Sequence, residues 1–283
     1  MKLGVMIFAT DTTVPVPELA REVERRGFES LWVTEKTHVP VSRATPWPGG
    51  ELPDWYKRTC DPLLTLAAAA AVTTGLRLGT GVLLAGVRDP IITAKEIATL
   101  DWLSGGRVEL GVGYGWNREE LAAHGVTLEE APEVLIDKLR LMSALWNADE
   151  AGYEGRYARV EPSWSWPKPK QLPHPPIHFG GRASTKLFDH TARHGNGWLP
   201  IEGYGTVLRH LPALRGAFDA CGRDPASAVV TVYSSAGDPT TVDGYADAGI
   251  DRVVVSLPAA DRDSVWAALD GHTERLAHLL DTP

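Results

Sequence analysis

Short apolar runs alternate along the chain with longer amphipathic ones, and the spacing predicts a strand followed by a helix about eight times over. Leu3 to Phe8 reads as a strand buried on both faces. Leu19, Ala20 and Val23 then form the inner stripe of a helix whose wet face is Arg21, Glu22, Glu24 and Arg25, with Pro17 near its first turn and Gly27 ending it. Phe28 to Val33 is the second strand. Pro62 to Val72 is an alanine-rich helix, and Thr74-Gly75 turns into a strand over Leu76 to Val82. Asp89-Pro90 opens a helix that runs to Leu103, where Gly105 and Gly106 supply the left-handed conformations that stop it. Arg107 to Val112 is the fourth strand, with Val108, Leu110 and Val112 on one face. After Gly115 a helix carries Glu119, Leu121 and His124 and ends at Gly125, and another runs from near Glu129 to Trp146 with Leu135, Leu139, Met142 and Leu145 at helical spacing.

The alternation resumes at Ile177 to Gly181, a strand ending in a glycine pair. A helix from Ser184 to His194 follows, with Gly195 as its cap. Then come a short strand at Trp198-Leu199-Pro200 and a mostly helical stretch from Tyr204 to Gly222. Val229 to Tyr233 and Arg252 to Leu257 are strands, and Val242 to Ala248 and Arg262 to Leu280 are helices. One helical return between successive strands makes them parallel neighbours. The count is that of an α/β fold, a single (β/α)8 TIM barrel forming one domain over residues 1–283. Irregular insertions interrupt it after strand 2 (Thr34 to Thr59) and between strands 4 and 5 (Asp149 to Pro176). The second insertion holds a small hairpin at Tyr153 to Tyr157 and proline-heavy coil from Pro162 to Pro176. Long irregular segments inside a compact domain usually have a task. Trp47, Trp55, Trp164 and Trp166 lie on these two insertions, which are expected to lean together over the barrel mouth as an apolar lid, with ordinary packing as the alternative.

Composition narrows the function classes. At 283 residues, 43% hydrophobic and 23% charged, the chain has ordinary globular values, and its formal net charge of −8 argues against a nucleic-acid surface. The 2 cysteines, Cys60 and Cys221, are far apart and have no metal-ligand spacing. The apolar N-terminus is stopped by Asp11 and lacks a signal-peptide cleavage pattern, and the longest apolar run is too short for a bilayer. A cytoplasmic protein with a small-molecule partner is the expectation, with neither membrane nor nucleic acid involved.

Parallel barrels keep their chemistry at the C-terminal ends of the strands. Those ends here are poor in metal ligands, and no metal is expected. No pair of strand-end carboxylates stands where a retaining glycosidase needs them, and no strand lysine is placed for a Schiff base. What remains is glycine, aromatic rings and a few polar groups, which suits a large planar cofactor that brings its own chemistry. Gly111, Gly113 and Gly115 leave bare backbone at the end of strand 4, although the dinucleotide fingerprint is absent because Trp116 stands where a third glycine would be. Gly180-Gly181-Arg182, followed by a helix that Ser184 can cap, is the best phosphate candidate. Glu109 and Arg77 fall within strands and are expected to form an interior charge pair. His178 points either into the barrel or toward a cofactor.

Several motifs carry a resemblance to a known family: Arg88-Asp89-Pro90, Ala94-Lys95-Glu96, Thr99-Leu100-Asp101, Leu103-Ser104-Gly105-Gly106-Arg107 and Gly111-Val112-Gly113-Tyr114-Gly115-Trp116-Asn117. Together they resemble the luciferase-like monooxygenase superfamily, most closely its actinobacterial branch that uses the deazaflavin coenzyme F420. The resemblance implies an oxidoreductase that moves a hydride between the deazaflavin and a small organic molecule. It also implies a cofactor-binding set of Ala9, Glu35, Gly81, Val82, Gly113, Gly115, Asn117, His178, Phe179, Gly180, Gly181 and Arg182. A non-prolyl cis peptide is implied at Gly81-Val82. Many relatives carry His where this chain has Lys36, so the catalytic candidates are Glu35, Lys36 and the nearest imidazole, His38. Trp116 stands where sugar-oxidising relatives have a catalytic Glu. The superfamily further implies a homodimer. The alternatives are an FMN-dependent monooxygenase served by a separate reductase, and a non-catalytic flavin-binding protein.

Overall fold

In the computed structural model, which describes residues 1–203 and 207–280, ten strands follow one another: β1 (Lys2–Ile7), β2 (Ser30–Val33), β3 (Arg77–Leu83), β4 (Val108–Val112), β5 (Glu150–Glu154), β6 (Arg159–Trp164), β7 (Ile177–Gly180), β8 (Gly197–Leu199), β9 (Val229–Ser235) and β10 (Arg252–Ser256). Eight of them close into a parallel barrel in the order β1-β10-β9-β8-β7-β4-β3-β2, while β5 and β6 pair antiparallel outside it. The helices are α1 (Val16–Arg25), α2 (Pro62–Ala70), α3 (Pro90–Ser104), α4 (Arg118–Ala123), α5 (Ala131–Asn147), α6 (Thr185–His194), α7 (Val207–Ala220), α8 (Pro239–Asp247) and α9 (Arg262–Arg275). The fold is the α/β TIM barrel read from the periodicity. The expected helix start at Tyr204 lies outside the described residues.

Local chemistry sets the element ends. Asp61, Asp89, Asn117, Ser184, Asp238 and Asp261 each accept a backbone N–H at the start of a helix. Gly105 (φ 77°) and Gly106 (φ 91°) end α3 in the left-handed region. The Asp238 cap starts α8 three residues before the expected Val242. The hairpin is wider than Tyr153 to Tyr157, because Glu150 pairs with Trp164.

Strand alternation sorts side chains into two populations. Val5, Leu31, Leu78, Leu110, Phe179, Val232 and Val253 face outward and are buried under the helices. The inward set is layered. At the N-terminal end Glu109 accepts from Arg77, from Arg252 at 3.1 Å and from His178 Nε2 at 2.5 Å, and Arg252 also reaches Glu29 at 2.6 Å. The interior pair expected of Glu109 and Arg77 is therefore part of a larger network. Burial acts to raise the Glu109 carboxyl, yet the hydrogen bond from His178 and the charges of Arg252 and Arg77 hold it far below the carboxylate range. Above this plug lies Trp32, fully buried, with the Arg252 guanidinium over its ring. A Cβ on Gly79 would come within 2.1 Å of that indole, so bare backbone is what admits it. The ladder between β3 and β4 then slips between Thr80 and Leu83, and the Gly81-Val82 peptide is cis.

The second insertion does not reach the barrel mouth. Helix α5 has already carried the chain back to the N-terminal end of the strands when the insertion begins. It is pinned there: Lys168 Nζ donates to the carbonyls of Leu145 and Ala148, and the Gln171 amide donates to Asp101 and to the Val108 carbonyl at the foot of β4. Trp164 and Trp166 are therefore exposed away from the mouth. The expectation of a four-tryptophan lid is corrected to a lid from the first insertion alone.

Candidate functional site

The mouth opens on a cavity of about 540 Å³. Its floor is apolar, made by Met6, Leu199 and Tyr233 from three strand ends. One wall is backbone. Gly81, Gly113 and Gly180 converge there around Val82, and a Cβ on either Gly113 or Gly180 would come within 2.6 Å of a Val82 methyl. Gly115 and Gly181 extend this wall outward. Aromatic rings form the roof. Trp47, Trp55 and Tyr56 come from the first insertion, in which a 3-10 turn over Asp54–Arg58 is tied to the loop after β1 by Arg58 pairing with Asp11 at 2.6 Å. Trp55 packs on Phe8 with ring centroids 4.2 Å apart, and Trp47 and Trp116 meet Tyr56 edge-on.

Of the catalytic and cofactor-binding candidates named from the sequence, Glu35, Lys36, Gly81, Val82, Gly113, Gly115, Gly180 and Gly181 line this cavity. The others lie elsewhere, for local reasons. Ala9 packs outward into the main core, and its carbonyl accepts from the Cys60 N–H. Phe179 alternates outward under α6, so only its backbone is near the mouth. His178 points into the barrel and is held beneath the floor by Glu109. Asn117 spends its side chain capping α4. His38 stands on the rim against His124, with ring centroids 5.4 Å apart. Arg182 is exposed and borders a narrow crevice with Trp198 and His210, just beyond Gly181.

Two charged groups of the wall are already engaged. Glu35, at the end of β2, accepts from the Leu84 N–H and from Arg88 at 2.6 Å. Burial pushes its carboxyl up, against the pull of Arg88 and the Leu84 N–H. It thus steadies the turn that leaves β3. Lys36 is paired with Glu120 of α4 at 2.5 Å, with side chains only 7% and 2% exposed, and its ammonium lies over the rings of Tyr56 (5.6 Å) and Trp116 (5.3 Å). Glu120 has no signature in the sequence beyond its place three residues after the Asn117 cap. Burial raises the Cys60 thiol, which removes thiolate character from it. No cluster of three or more His, Cys, Asp or Glu side chains suited to a metal occurs among the described residues.

Residues 1–243 match the family model described as luciferase-like monooxygenase. The chain belongs to that family. This luciferase-like protein is 38% identical over 281 residues to an uncharacterized protein of Mycobacterium tuberculosis, with 98% of each chain covered. It is 31% identical to an F420-dependent glucose-6-phosphate dehydrogenase of Kineococcus radiotolerans over 73% of this chain, which spans 58% of that enzyme. Among solved structures, an F420-dependent secondary alcohol dehydrogenase in complex with an F420-acetone adduct superposes with a TM-score of 0.77. It is 18% identical and covers 99% of this chain and 100% of its own. At that identity the likeness shows the fold. The family and these relatives make the chain a member of an oxidoreductase superfamily in which some relatives are F420-dependent dehydrogenases. No described helix is long and apolar enough to cross a membrane.

Among the described residues, four buried polar atoms lack a hydrogen-bond partner: Thr34 Oγ1, Glu120 Oε1, His178 Nδ1 and Tyr233 Oη. Thr34 and Tyr233 line the cavity itself, and Glu120 backs its Lys36 wall. Buried polar groups are nearly always satisfied, so orphans gathered around one cavity mark it as shaped for an occupant. Tyr233 and Thr34 were legible only as residues at strand ends. Nothing in their neighbours announces an unpaired hydroxyl.

Proposed function

We propose that this luciferase-like protein is a deazaflavin-dependent oxidoreductase that transfers a hydride between coenzyme F420 and a small organic molecule. The observation that carries the reading is the wall of bare backbone: Gly81, Gly113 and Gly180 stand where any side chain would collide, beside orphaned hydroxyls and under an aromatic roof. The volume lies in the range of sites for cofactor-sized ligands, ~300–1,000 Å³. Gly81, Val82, Gly113, Gly115 and Gly180 would carry the ring system. Gly181, Arg182 and the Ser184-capped start of α6 would face its phosphate. The coenzyme supplies a two-electron hydride carrier that activates oxygen poorly. The protein's own part is to orient, to exclude water and to present Lys36 beside the reacting region. Glu35 acts through the backbone turn it holds rather than as an acid or base.

The homodimer implied by the family has a candidate surface. Helices α2 and α3 pack side by side and expose Leu64 (75%), Ile92 (60%), Trp102 (58%) and Leu103 (62%) on their outer faces. Large apolar side chains exposed on two packed helices are candidates for a protein interaction site, and we assign them to a second copy of this chain.

The test is a titration of the purified protein with F420 and with FMN, followed by fluorescence, on wild type and Gly181→Val. Gly181 has φ +146°, which a β-branched residue does not adopt without strain. The reading expects F420 binding that the substitution removes. Tight FMN binding with none for F420 would move the protein to the flavin monooxygenases, with a separate reductase as partner. Unchanged affinity in the variant would displace the phosphate from Gly181. Binding without turnover across a substrate panel would favour a non-catalytic flavin-binding protein.

A further inference from the structure

The charges of the cavity wall are balanced before any ligand arrives. Among the described residues that line it, Lys36 is the basic side chain and Glu35 the acidic one. Glu35 is consumed by Arg88 and the Leu84 N–H, and Lys36 is compensated by Glu120. An anionic substrate would lose its water and meet no uncompensated cation, and an unrepaid desolvation of a charge excludes it. The rest of the wall welcomes apolar surface: Phe8, Trp47, Trp55, Val82 and Leu199. The ammonium of Lys36 still offers directed N–H groups, because Glu120 occupies one of three donor directions. A neutral oxygen acceptor can take such a donor without breaking the pair.

We propose that the substrate is an uncharged, largely apolar molecule bearing a carbonyl group, or in the reverse direction its alcohol, with the oxygen against the Lys36 ammonium and Glu120 as the positioning residue that holds it there. The proposal rests on the hydride-transfer reading above and names its substrate class. In the reductive direction the carbonyl carbon gains a hydride from the reduced deazaflavin, which becomes oxidised. The carbon–oxygen π pair moves onto oxygen, and that oxygen takes a proton from Lys36 Nζ. Lys36 regains its proton from solvent, with the Glu120 carboxylate still beside it. Reversal converts the alcohol to the carbonyl. The ammonium stabilises the charge that develops on oxygen, which is where a preorganised donor has its largest effect.

Cofactor-free protein suffices for the test. Acetophenone and benzoate share one ring and differ in charge, so calorimetric titration with each reads the charge preference directly. Acetophenone should bind at least about tenfold more tightly than benzoate. Lys36→Met alone leaves Glu120 buried and unpaired, so the double variant Lys36→Met with Glu120→Gln removes both charges at once and keeps the fold. It should lose about tenfold in acetophenone affinity, the usual scale of a hydrogen bond from a charged donor, while Lys36→Arg retains most of it. Tighter binding of benzoate, or an unchanged double variant, overturns the proposal. The positioning role has a spectroscopic readout. After reductive ¹³C-methylation the Lys36 methyl signal should be ring-shifted by Tyr56 and Trp116, and Glu120→Gln should move it toward the exposed lysines. A signal that stays put shows that Glu120 does not position Lys36. These arms need no cofactor, so a failed F420 titration beside a successful acetophenone arm would reject the deazaflavin reading alone.

Discussion

Replacing Tyr233 by phenylalanine deletes one oxygen from beneath the cavity and leaves the ring in place. Tyr233 is 5% exposed, its ring lies against Gly81, and its hydroxyl has no partner among the described residues. Burial, the first cause, pushes that phenol far above its usual range, so it remains a neutral donor at any working pH. An unpaired buried hydroxyl costs about 1–3 kcal/mol, whereas an apolar group of the same shape does not. Part of that gain is offset by the contacts of the lost atom, so the ligand-free variant should be more stable by about 1 kcal/mol. For a chain of this size the shift in Tm is roughly 2–4 °C. With F420 bound as proposed the sign reverses: the Tyr233 hydroxyl would there gain an acceptor that the variant lacks, and affinity for F420 should fall about fivefold, the equivalent of about 1 kcal/mol. Thermal denaturation followed by circular dichroism, with and without coenzyme, measures both halves. A Tm that falls in the ligand-free variant would show that the hydroxyl has a partner within the protein, and would remove it from the set of groups kept for a ligand.

Further outcomes follow from other residues. Gly79→Ala should destabilise the protein by about 1–3 kcal/mol in a urea melt, because its methyl would enter the Trp32 indole in a fully packed interior; a neutral result would show that Trp32 can shift. His194 is pushed down to about 4, chiefly by burial and then by Arg140. Its folded value lies below the unfolded 6.5, so between the two the unfolded chain binds more protons, and stability is lost as pH falls through that window. His194→Gln should flatten the decline of Tm between those limits, and an unaltered slope would place the acid sensitivity elsewhere. On the proposed α2–α3 interface, light scattering should give a dimer for wild type and a monomer for Leu64→Glu with Trp102→Glu; equal masses would release the α2–α3 face from that role.

The barrel was legible because its signals are local. Strand runs, helix stripes and the Gly105-Gly106 stop each depend on a few neighbouring residues, and the caps at Asp89 and Ser184 lie within one turn of what they satisfy. The glycine wall was legible for the same reason, since every member sits at a strand end. What escaped depends on closure in space. Lys36 and Glu120 are 84 positions apart and meet only because α4 folds back beside the first insertion. Strand parity decides that His178 goes inward to Glu109 while Phe179 goes outward, and one residue of register separates the barrel plug from the core under the helices. The direction of α5 decided which end of the barrel received the second insertion, and composition alone cannot tell one end from the other.

The plug of Glu109, Arg77, Arg252 and His178 under Trp32 has a kinetic consequence. A vessel sealed at its base has one doorway, and everything that visits must use it. Whichever guest rests deepest has to arrive first and depart last, so a second molecule that covers it enforces a queue. Steady-state measurements on this protein should therefore show compulsory order, with the outer guest trapping the inner one, rather than independent arrival.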